Sequence, residues 1–198
     1  MSHDPSHPVR TEKEQLNTLL ARAMRLLSQR DHSETELRRK LETPPVMAAR
    51  RSASFSRRSS RRNDETSETP PVPAPAPYQP EEIDPQLVEK IILYCLEHHY
   101  LDDARFTQSY INSRSRKGYG PQRIRSELTQ KGVAKALINT GFEETDVDWC
   151  RQARDLAERK FGEPLPTEWK EKAKVQRFLQ YRGFFQEEIQ SIYRDFDE

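Results

Sequence analysis

The chain has 198 residues, of which 33% are hydrophobic and 33% are charged, and its formal net charge is +1. Because a typical globular domain is about 45–50% apolar, this composition excludes a single thick core. It favours a thin fold in which part of the chain is disordered.

The first ten residues are polar, and no stretch approaches the roughly 18 apolar residues that a membrane helix needs. We therefore expect no signal peptide and no membrane span, and a cytoplasmic location. Cys95 and Cys150 each lie in an apolar helical pattern, which predicts two buried, reduced thiols.

Helical patterns begin at Thr11, which forms a capping-box pattern with Glu14. Leucines follow at helical spacing. A second capping-box pattern, Ser33 with Glu36, precedes a short helix that carries Leu37 and Leu41.

The next segment differs in composition from the rest of the chain. Six arginines interleaved with serines fall between residues 50 and 62, and six prolines follow between residues 70 and 80. Proline at this density cannot continue a helix. We predict a disordered linker over residues 44–80 and a flexible N-terminus over residues 1–10.

Helix signals resume after the linker. Asp84 is a capping residue, and Pro85 follows it at the first helical position. Asp102 caps the next helix, which ends at Gly118 and Gly120. Pro121 then starts a further helix. Gly132 and Gly141 end two short helices. Further helices are predicted from near Thr145, from about Thr167, and around Ile189, Tyr193 and Phe196. No segment alternates as a strand does, so the predicted fold class is all-α.

An internal repeat supports this prediction. Each copy has an apolar helix, a basic residue before a tight turn, and a short apolar helix. The equivalent positions are Ala23, Tyr110 and Val175; Arg30, Lys117 and Arg182; Ser33, Gly120 and Phe185; Leu37, Ile124 and Ile189; and Leu41, Leu128 and Tyr193. Repeats of this size share a thin core when stacked. We predict that residues 11–43 begin the first module, residues 81–141 complete it and form the central module, and residues 142–198 form the third.

No pattern typical of catalysis is present, since nucleotide-binding, zinc-protease and serine-hydrolase motifs are all missing. Asp102 and Asp103 are best explained as an N-cap and a first-turn acid. Gly118-Tyr119-Gly120-Pro121 is only a weak candidate for a phosphate loop, and a turn between helices explains it. We therefore expect no enzyme activity, no catalytic residue, no metal site and no cofactor.

The strongest functional signal is basic charge. Between residues 114 and 140 there are seven basic residues and one acid, Glu127. A solvated helix surface is one interpretation, and an anionic partner is the other. Arg123 and Arg125 flank the inward residue Ile124 by about 100° on either side, so we expect both to be free to reach a partner. The predicted binding residues are Arg114, Arg116, Lys117, Arg123, Arg125 and Lys131.

Several motifs resemble those of the RecX family. Arg30-Asp31-His32-Ser33-Glu34 and Glu36-Leu37-Arg38-Arg39-Lys40-Leu41 are similar to its first repeat, and Tyr100-Leu101-Asp102-Asp103-Ala104-Arg105-Phe106 to its next block. The most specific stretch runs from Ser113 to Pro121 and continues through Ile124, Arg125, Glu127-Leu128 and Lys131-Gly132. Phe178-Leu179, Arg182-Gly183-Phe184 and Ile189 resemble the last repeat. The long linker is a departure, because the family is expected to have a short connection there.

The resemblance implies tandem three-helix modules in an elongated, curved arrangement. It implies a monomer that binds the groove of the RecA–DNA filament, contacting RecA and DNA phosphates. It also implies limited filament growth and inhibition of strand exchange, ATP hydrolysis and the coprotease activity that triggers the SOS response. The alternative is a helix-turn-helix transcription factor with Pro121–Lys131 as recognition helix, offering Gln122, Arg125 and Thr129 to bases.

Overall fold

The structure is a computed structural model that describes residues 11–43 and 83–194. Within these ranges it contains nine helices and no strand, which confirms the all-α prediction. The predicted flexible N-terminus, the predicted linker over residues 44–80 and Phe196 lie outside the described residues. The helices are α1 (Glu12–Gln29), α2 (Glu34–Glu42), α3 (Pro85–Glu97), α4 (Asp103–Arg116), α5 (Pro121–Gln130), α6 (Lys135–Glu143), α7 (Trp149–Phe161), α8 (Trp169–Arg182) and α9 (Gln186–Arg194).

The helices bury three separate apolar cores. Helices α1, α2 and α3 enclose the first core, α4, α5 and α6 the second, and α7, α8 and α9 the third. We name these groups modules one, two and three. The domain boundaries drawn from the sequence stay a prediction.

The repeat alignment identifies core positions correctly. Leu37, Ile124 and Ile189 are each 0% exposed, although they belong to three different cores. The next set of equivalent positions is also buried. Leu41 and Leu128 are 0% exposed, and Tyr193 is 8% exposed. Each module therefore buries its short helix through the same two positions.

Capping residues determine where the helices start, and the structure differs from the sequence prediction at three of these starts. Thr11 and Glu14 make both halves of the capping box. Ser33 accepts a hydrogen bond from the Glu36 amide, but the Glu36 side chain turns to other partners. Helix α7 begins at Trp149 with Asp148 as its cap, rather than near Thr145. Helix α8 begins at Trp169, two residues after the predicted start.

The two cysteines differ in burial. Cys95 is fully buried in the core of module one, as predicted. The prediction of a buried thiol at Cys150 is wrong, because this residue is exposed in the first turn of α7. The apolar stripe of α7 instead faces inward through Ala153 and Ala157, both 0% exposed.

Candidate nucleic-acid interface

Three arginines surround the ring of Tyr119, which lies in the turn between α4 and α5. The guanidinium carbons of Arg123, Arg114 and Arg182 lie 4.3, 5.5 and 5.5 Å from the ring centroid. Such distances allow cation–π attraction with the face of an aromatic ring. Because Arg182 belongs to α8, this one ring gathers cations from modules two and three.

The carboxylate of Glu127 fixes two of these arginines. Its Oε1 accepts a hydrogen bond from Arg123 Nε at 3.0 Å, and its Oε2 lies 3.0 Å from Arg114 Nε. The hydroxyl of Tyr110 donates to Oε2 at 2.7 Å. Burial would raise the pKa of Glu127, but the hydrogen bonds from Tyr110 and Arg123 and the positive charge of Arg114 lower it. Glu127 therefore stays ionised and holds the arginines in one geometry.

A second carboxylate, Glu36, gathers three more cations and is only 6% exposed. Both of its oxygens accept hydrogen bonds from Arg30. Lys131 Nζ of module two lies 3.1 Å from Oε2, and Lys40 Nζ lies 3.6 Å from Oε1. Burial would raise the pKa of Glu36, but the hydrogen bonds from Arg30 and Lys131 lower it to about 2.

Lys131 joins the two carboxylate clusters. Its Nζ lies 5.5 Å from the ring centroid of Tyr110, and Tyr110 in turn bonds Glu127. The cations thus form a continuous series across all three modules, with two carboxylates between them. We call this surface the basic strip and define it as Arg30, Lys40, Lys131, Arg114, Arg123 and Arg182.

His32 is buried beside the strip and stays neutral. Its exposure is 2%, and burial lowers its pKa. Lys40 Nζ lies 2.8 Å from Nε2, and Nδ1 lies 2.9 Å from the carbonyl oxygen of Arg30. Because an ammonium can only donate, Nε2 accepts and Nδ1–H donates. The imidazole therefore orients Lys40 without adding charge.

Backbone contacts attach module three to module two. The amide of Gly120 donates to the Arg182 carbonyl, and the amide of Gln122 donates to the Gly183 carbonyl, both at 2.9 Å. A Cβ at Gly120 would overlap the backbone of Gly183 and Phe184. Glycine at position 120 thus serves close backbone approach, and the earlier explanation of this motif as a turn alone is incomplete. The same contacts place Arg182 next to Tyr119.

Side-chain contacts attach module one to module two. Ser33 Oγ donates to the Lys131 carbonyl at 2.6 Å, and the amide of Glu34 donates to Asp103 Oδ1 at 2.8 Å. The prediction for Asp103 as a first-turn acid of its own helix is therefore incomplete, because its carboxylate also caps α2. Burial raises the pKa of Asp103 despite this hydrogen bond.

The six binding residues predicted from the sequence do not form one group. Arg114, Arg123 and Lys131 lie together in the strip. Arg116 and Lys117 are exposed at the end of α4. The Lys117 carbonyl lies 3.5 Å from the guanidinium of Arg182 in the strip, whereas Arg116 lies about 200° around the helix from Arg114. Arg125 lies on the other flank of α5.

The expectation that Arg123 and Arg125 are free is wrong. Arg123 bonds Glu127. Arg125 donates to Asn139 Oδ1 at 2.7 Å, and its guanidinium carbon lies 4.1 Å from the centroid of Phe142. Two residues apart on a helix is about 200° of rotation, so the two side chains reach different neighbours.

Sequence reasoning missed half of the strip, namely Arg30, Lys40 and Arg182. It predicted Glu36 only as the capping-box partner of Ser33 and missed its role as the anchor of three cations. One signal was available, since the repeat alignment places Arg30 and Arg182 at equivalent positions before a turn. If these equivalent basic residues had been interpreted as parts of one surface, and not only as markers of a turn, Arg30 and Arg182 would have been predicted.

The low pKa of Glu36 predicts a pH-dependent contribution to stability. The carboxylate stabilises the fold fully above its ordinary pKa of 4.5, and this contribution is lost as pH falls towards about 2. Glu36→Gln is expected to lower the free energy of unfolding near pH 7 by about 2 kcal/mol. This loss of stability is smaller than the loss expected for a fully buried ion pair, because Arg30, Lys40 and Lys131 are partly exposed to solvent. The measurement is urea unfolding of both proteins between pH 2.5 and 7, and the difference should shrink towards acid.

A matched control is Glu12→Gln, which removes an exposed pair with Lys90 at 2.7 Å. Solvent screens such a pair, so this variant should change stability far less. A difference between wild type and Glu36→Gln that stays constant down to pH 2.5 would contradict the assignment.

The described ranges hold neither a metal-binding cluster nor a membrane-spanning helix. Residues 11–43 and 83–194 hold no group of three or more His, Cys, Asp or Glu side chains that could bind a metal ion. In the same part of the chain, no helix is long and apolar enough to cross a membrane.

Comparison with known proteins identifies two of the modules. Residues 102–141 match the family description "RecX, second three-helix domain", and residues 146–192 match "RecX, third three-helix domain". The Regulatory protein RecX of Serratia proteamaculans is 59% identical over 181 residues, covering 91% of this chain and 99% of that protein. The Regulatory protein RecX of Yersinia enterocolitica is 58% identical over 183 residues, covering 92% of this chain and all of that protein.

Solved structures show the same fold. The crystal structure of RecX from Lactobacillus salivarius aligns with a TM-score of 0.65 at 17% identity, over 93% of this chain and 98% of that one. A second crystal structure, of a regulatory protein RecX, aligns with a TM-score of 0.60 at 21% identity. It covers 94% of this chain and 73% of that one.

Proposed function

The chain belongs to the RecX family of regulatory proteins, and on that premise we propose that it restrains the RecA recombinase without being an enzyme. It binds as a monomer in the groove of the RecA–DNA filament in the cytoplasm. There it limits filament extension and inhibits strand exchange, ATP hydrolysis and coprotease activity. Through these effects it modulates DNA repair, recombination and the SOS response.

The basic strip is the observation that carries this proposal. Six cations surround two carboxylates, so the strip keeps a positive excess that its own acids do not neutralise. Unbalanced charge of one sign opposes folding through repulsion, and a polyanion relieves that repulsion. A strip that extends over three modules suits a long anionic groove better than a small ligand.

The residues have different roles in this proposal. The exposed Arg116 and Lys117 contact DNA phosphates or acidic RecA side chains directly. Arg114, Arg123 and Lys131 are held by carboxylates and present part of their guanidinium or ammonium group. Arg125, on the opposite flank of α5, is the least suited of the predicted residues to reach the same partner.

The structure disfavours a helix-turn-helix transcription factor. A recognition helix contacts bases through its N-terminal residues, but the start of α5 is packed against Gly183 of module three. Of the three side chains offered to bases, Thr129 donates to the Arg125 carbonyl of its own helix at 2.9 Å. Arg125 itself is bonded to Asn139.

The proposal is tested by measuring binding to fluorescent single-stranded DNA with and without RecA and a non-hydrolysable nucleotide. We expect tighter binding when the RecA filament is present, together with a fall in RecA ATPase activity when a hydrolysable nucleotide is used. Binding should weaken with salt by about 0.7 in the slope of log K against log salt for each phosphate contacted on a single strand. Affinity that does not respond to RecA, with unchanged ATPase activity, would contradict the proposal.

A further inference from the structure

Helix α8 presents an exposed basic ridge. Lys170, Lys174 and Arg177 are exposed on it at the i, i+4 and i+7 positions, and Tyr181 follows at i+11. Residues with this spacing lie on one face of a helix. One acid of the helix, Glu171, pairs with Lys174 at 2.6 Å, and both side chains remain partly exposed. The ridge is about 16 Å long and ends at Tyr181, next to Arg182 of the basic strip.

Tyr181 is an aromatic side chain left in solvent at this end. It is 78% exposed, in contrast to Tyr193 of the same module, which is 8% exposed. The hydrogen bond to Glu127 raises the pKa of Arg123, and the negative charge of Tyr181 in its phenolate form acts in the same direction. The backbone contact between Gln122 and Gly183 holds this end of α8 against the start of α5. The backbone of Tyr181 is therefore held near Arg123 of module two and Arg182 of module three.

We propose that Tyr181 and the ridge of α8 form a binding site for single-stranded nucleic acid, in which a base stacks on the phenol ring. The phosphates on either side of that base lie along Lys174 and Arg177 and towards Arg182 and Arg123. This inference rests on the proposed function and names the part of the partner that module three contacts.

The chemistry favours a single strand over a duplex or an acidic protein surface. An exposed aromatic ring within a row of cations offers both a stacking platform and phosphate contacts. Bases in a duplex are stacked on each other and do not offer a face to a side chain. An acidic protein surface would satisfy the cations but would not need the ring.

The exposed aromatics of module one provide a comparison. Tyr94 and Tyr100 are 38% and 43% exposed, and their rings flank His98. They lie in the stretch of residues 81–113, which holds seven acids and two basic residues. Because Tyr100 lies in module one, outside the ridge of α8 and outside the basic strip, Tyr100→Ala is a suitable control for Tyr181→Ala.

The test uses the full chain without RecA, and fluorescence anisotropy compares oligothymidylate with an abasic oligonucleotide that has the same number of phosphates. We expect wild type to prefer the thymidylate strand by about fivefold or more, as one stacked base requires. Tyr181→Ala should abolish this preference, and Tyr181→Trp and Tyr100→Ala should keep it. Arg177→Gln should weaken binding to both strands to the same extent.

Three outcomes would overturn the inference. Wild type could bind both strands equally or bind neither, or Tyr181→Ala could keep the preference for bases. None of these outcomes decides the proposed function, because that depends on the response to RecA, which is absent from this assay.

Discussion

Gly183→Ala is expected to lower the free energy of unfolding by about 4 kcal/mol, since it adds two penalties. Gly183 has a φ of +90°, a conformation that costs an alanine about 1–2 kcal/mol. A Cβ there would also lie 2.7 Å from the backbone nitrogen of Arg123, and overpacking of this kind costs about 1–3 kcal/mol. Urea unfolding monitored by circular dichroism measures the sum of the two penalties as a loss of the free energy of unfolding.

Two further glycine variants separate the penalties. Gly162 has a φ of +93° but nothing within 4 Å of a Cβ, so Gly162→Ala carries conformational strain without a clash. Gly120 has a φ of −81°, which alanine adopts readily, so Gly120→Ala carries the clash with Gly183 and Phe184 without that strain. Gly183→Ala should destabilise the protein more than Gly120→Ala, because it adds conformational strain to the clash. If Gly120→Ala leaves the free energy of unfolding unchanged, modules two and three are not in close backbone contact.

The second large effect is expected from Arg116→Glu with Lys117→Glu. Both residues are exposed at the end of α4, so the change should leave the helical signal intact, with a loss of about 1 kcal/mol or less for each unfavourable charge at a helix C-terminus. If each cation contacts a phosphate, affinity for the RecA–DNA filament should fall about tenfold or more. The salt slope should then flatten by roughly 1.5 in all.

The matched control makes the same change in charge outside the strip, with Lys13→Glu and Arg151→Glu. Both residues are exposed in the first turn of a helix, α1 and α7, where an added carboxylate is favoured by the helix dipole. The control should therefore bind the filament nearly as well as wild type. Equal losses in both double variants would mean that overall charge, and not the surface next to the strip, governs binding.

Reversing the charge of Arg123 and Arg125 would be a less informative test than reversing that of Arg116 and Lys117. Arg123→Glu would place a second carboxylate beside Glu127 and remove one of its hydrogen-bond donors. Such a variant would lose stability as well as charge. Its failure to inhibit RecA would then not identify the cause.

Local features of the chain were predictable because their signals are local. The Thr11 cap, the Asp84-Pro85 start and the Gly132 end appear in the structure where the sequence placed them. The buried equivalents such as Leu37 and Ile189 followed from helical spacing within single segments. Cys150 was misplaced by the same reasoning, because it lies in the first turn of α7, three residues before Ala153, and a position at a helix end is poorly constrained by periodicity.

The amino-acid sequence by itself determined the helical class, the repeat, the resemblance to the RecX family and the concentration of basic charge in module two. Only the tertiary structure decided which cations share a surface. Arg30 meets Lys131 at one carboxylate, 101 positions apart in the chain, and Arg182 meets Arg123 at one aromatic ring. Such pairings depend on how glycine-lined turns bring helix ends together, and the spacing of residues within a helix carries no information about that approach.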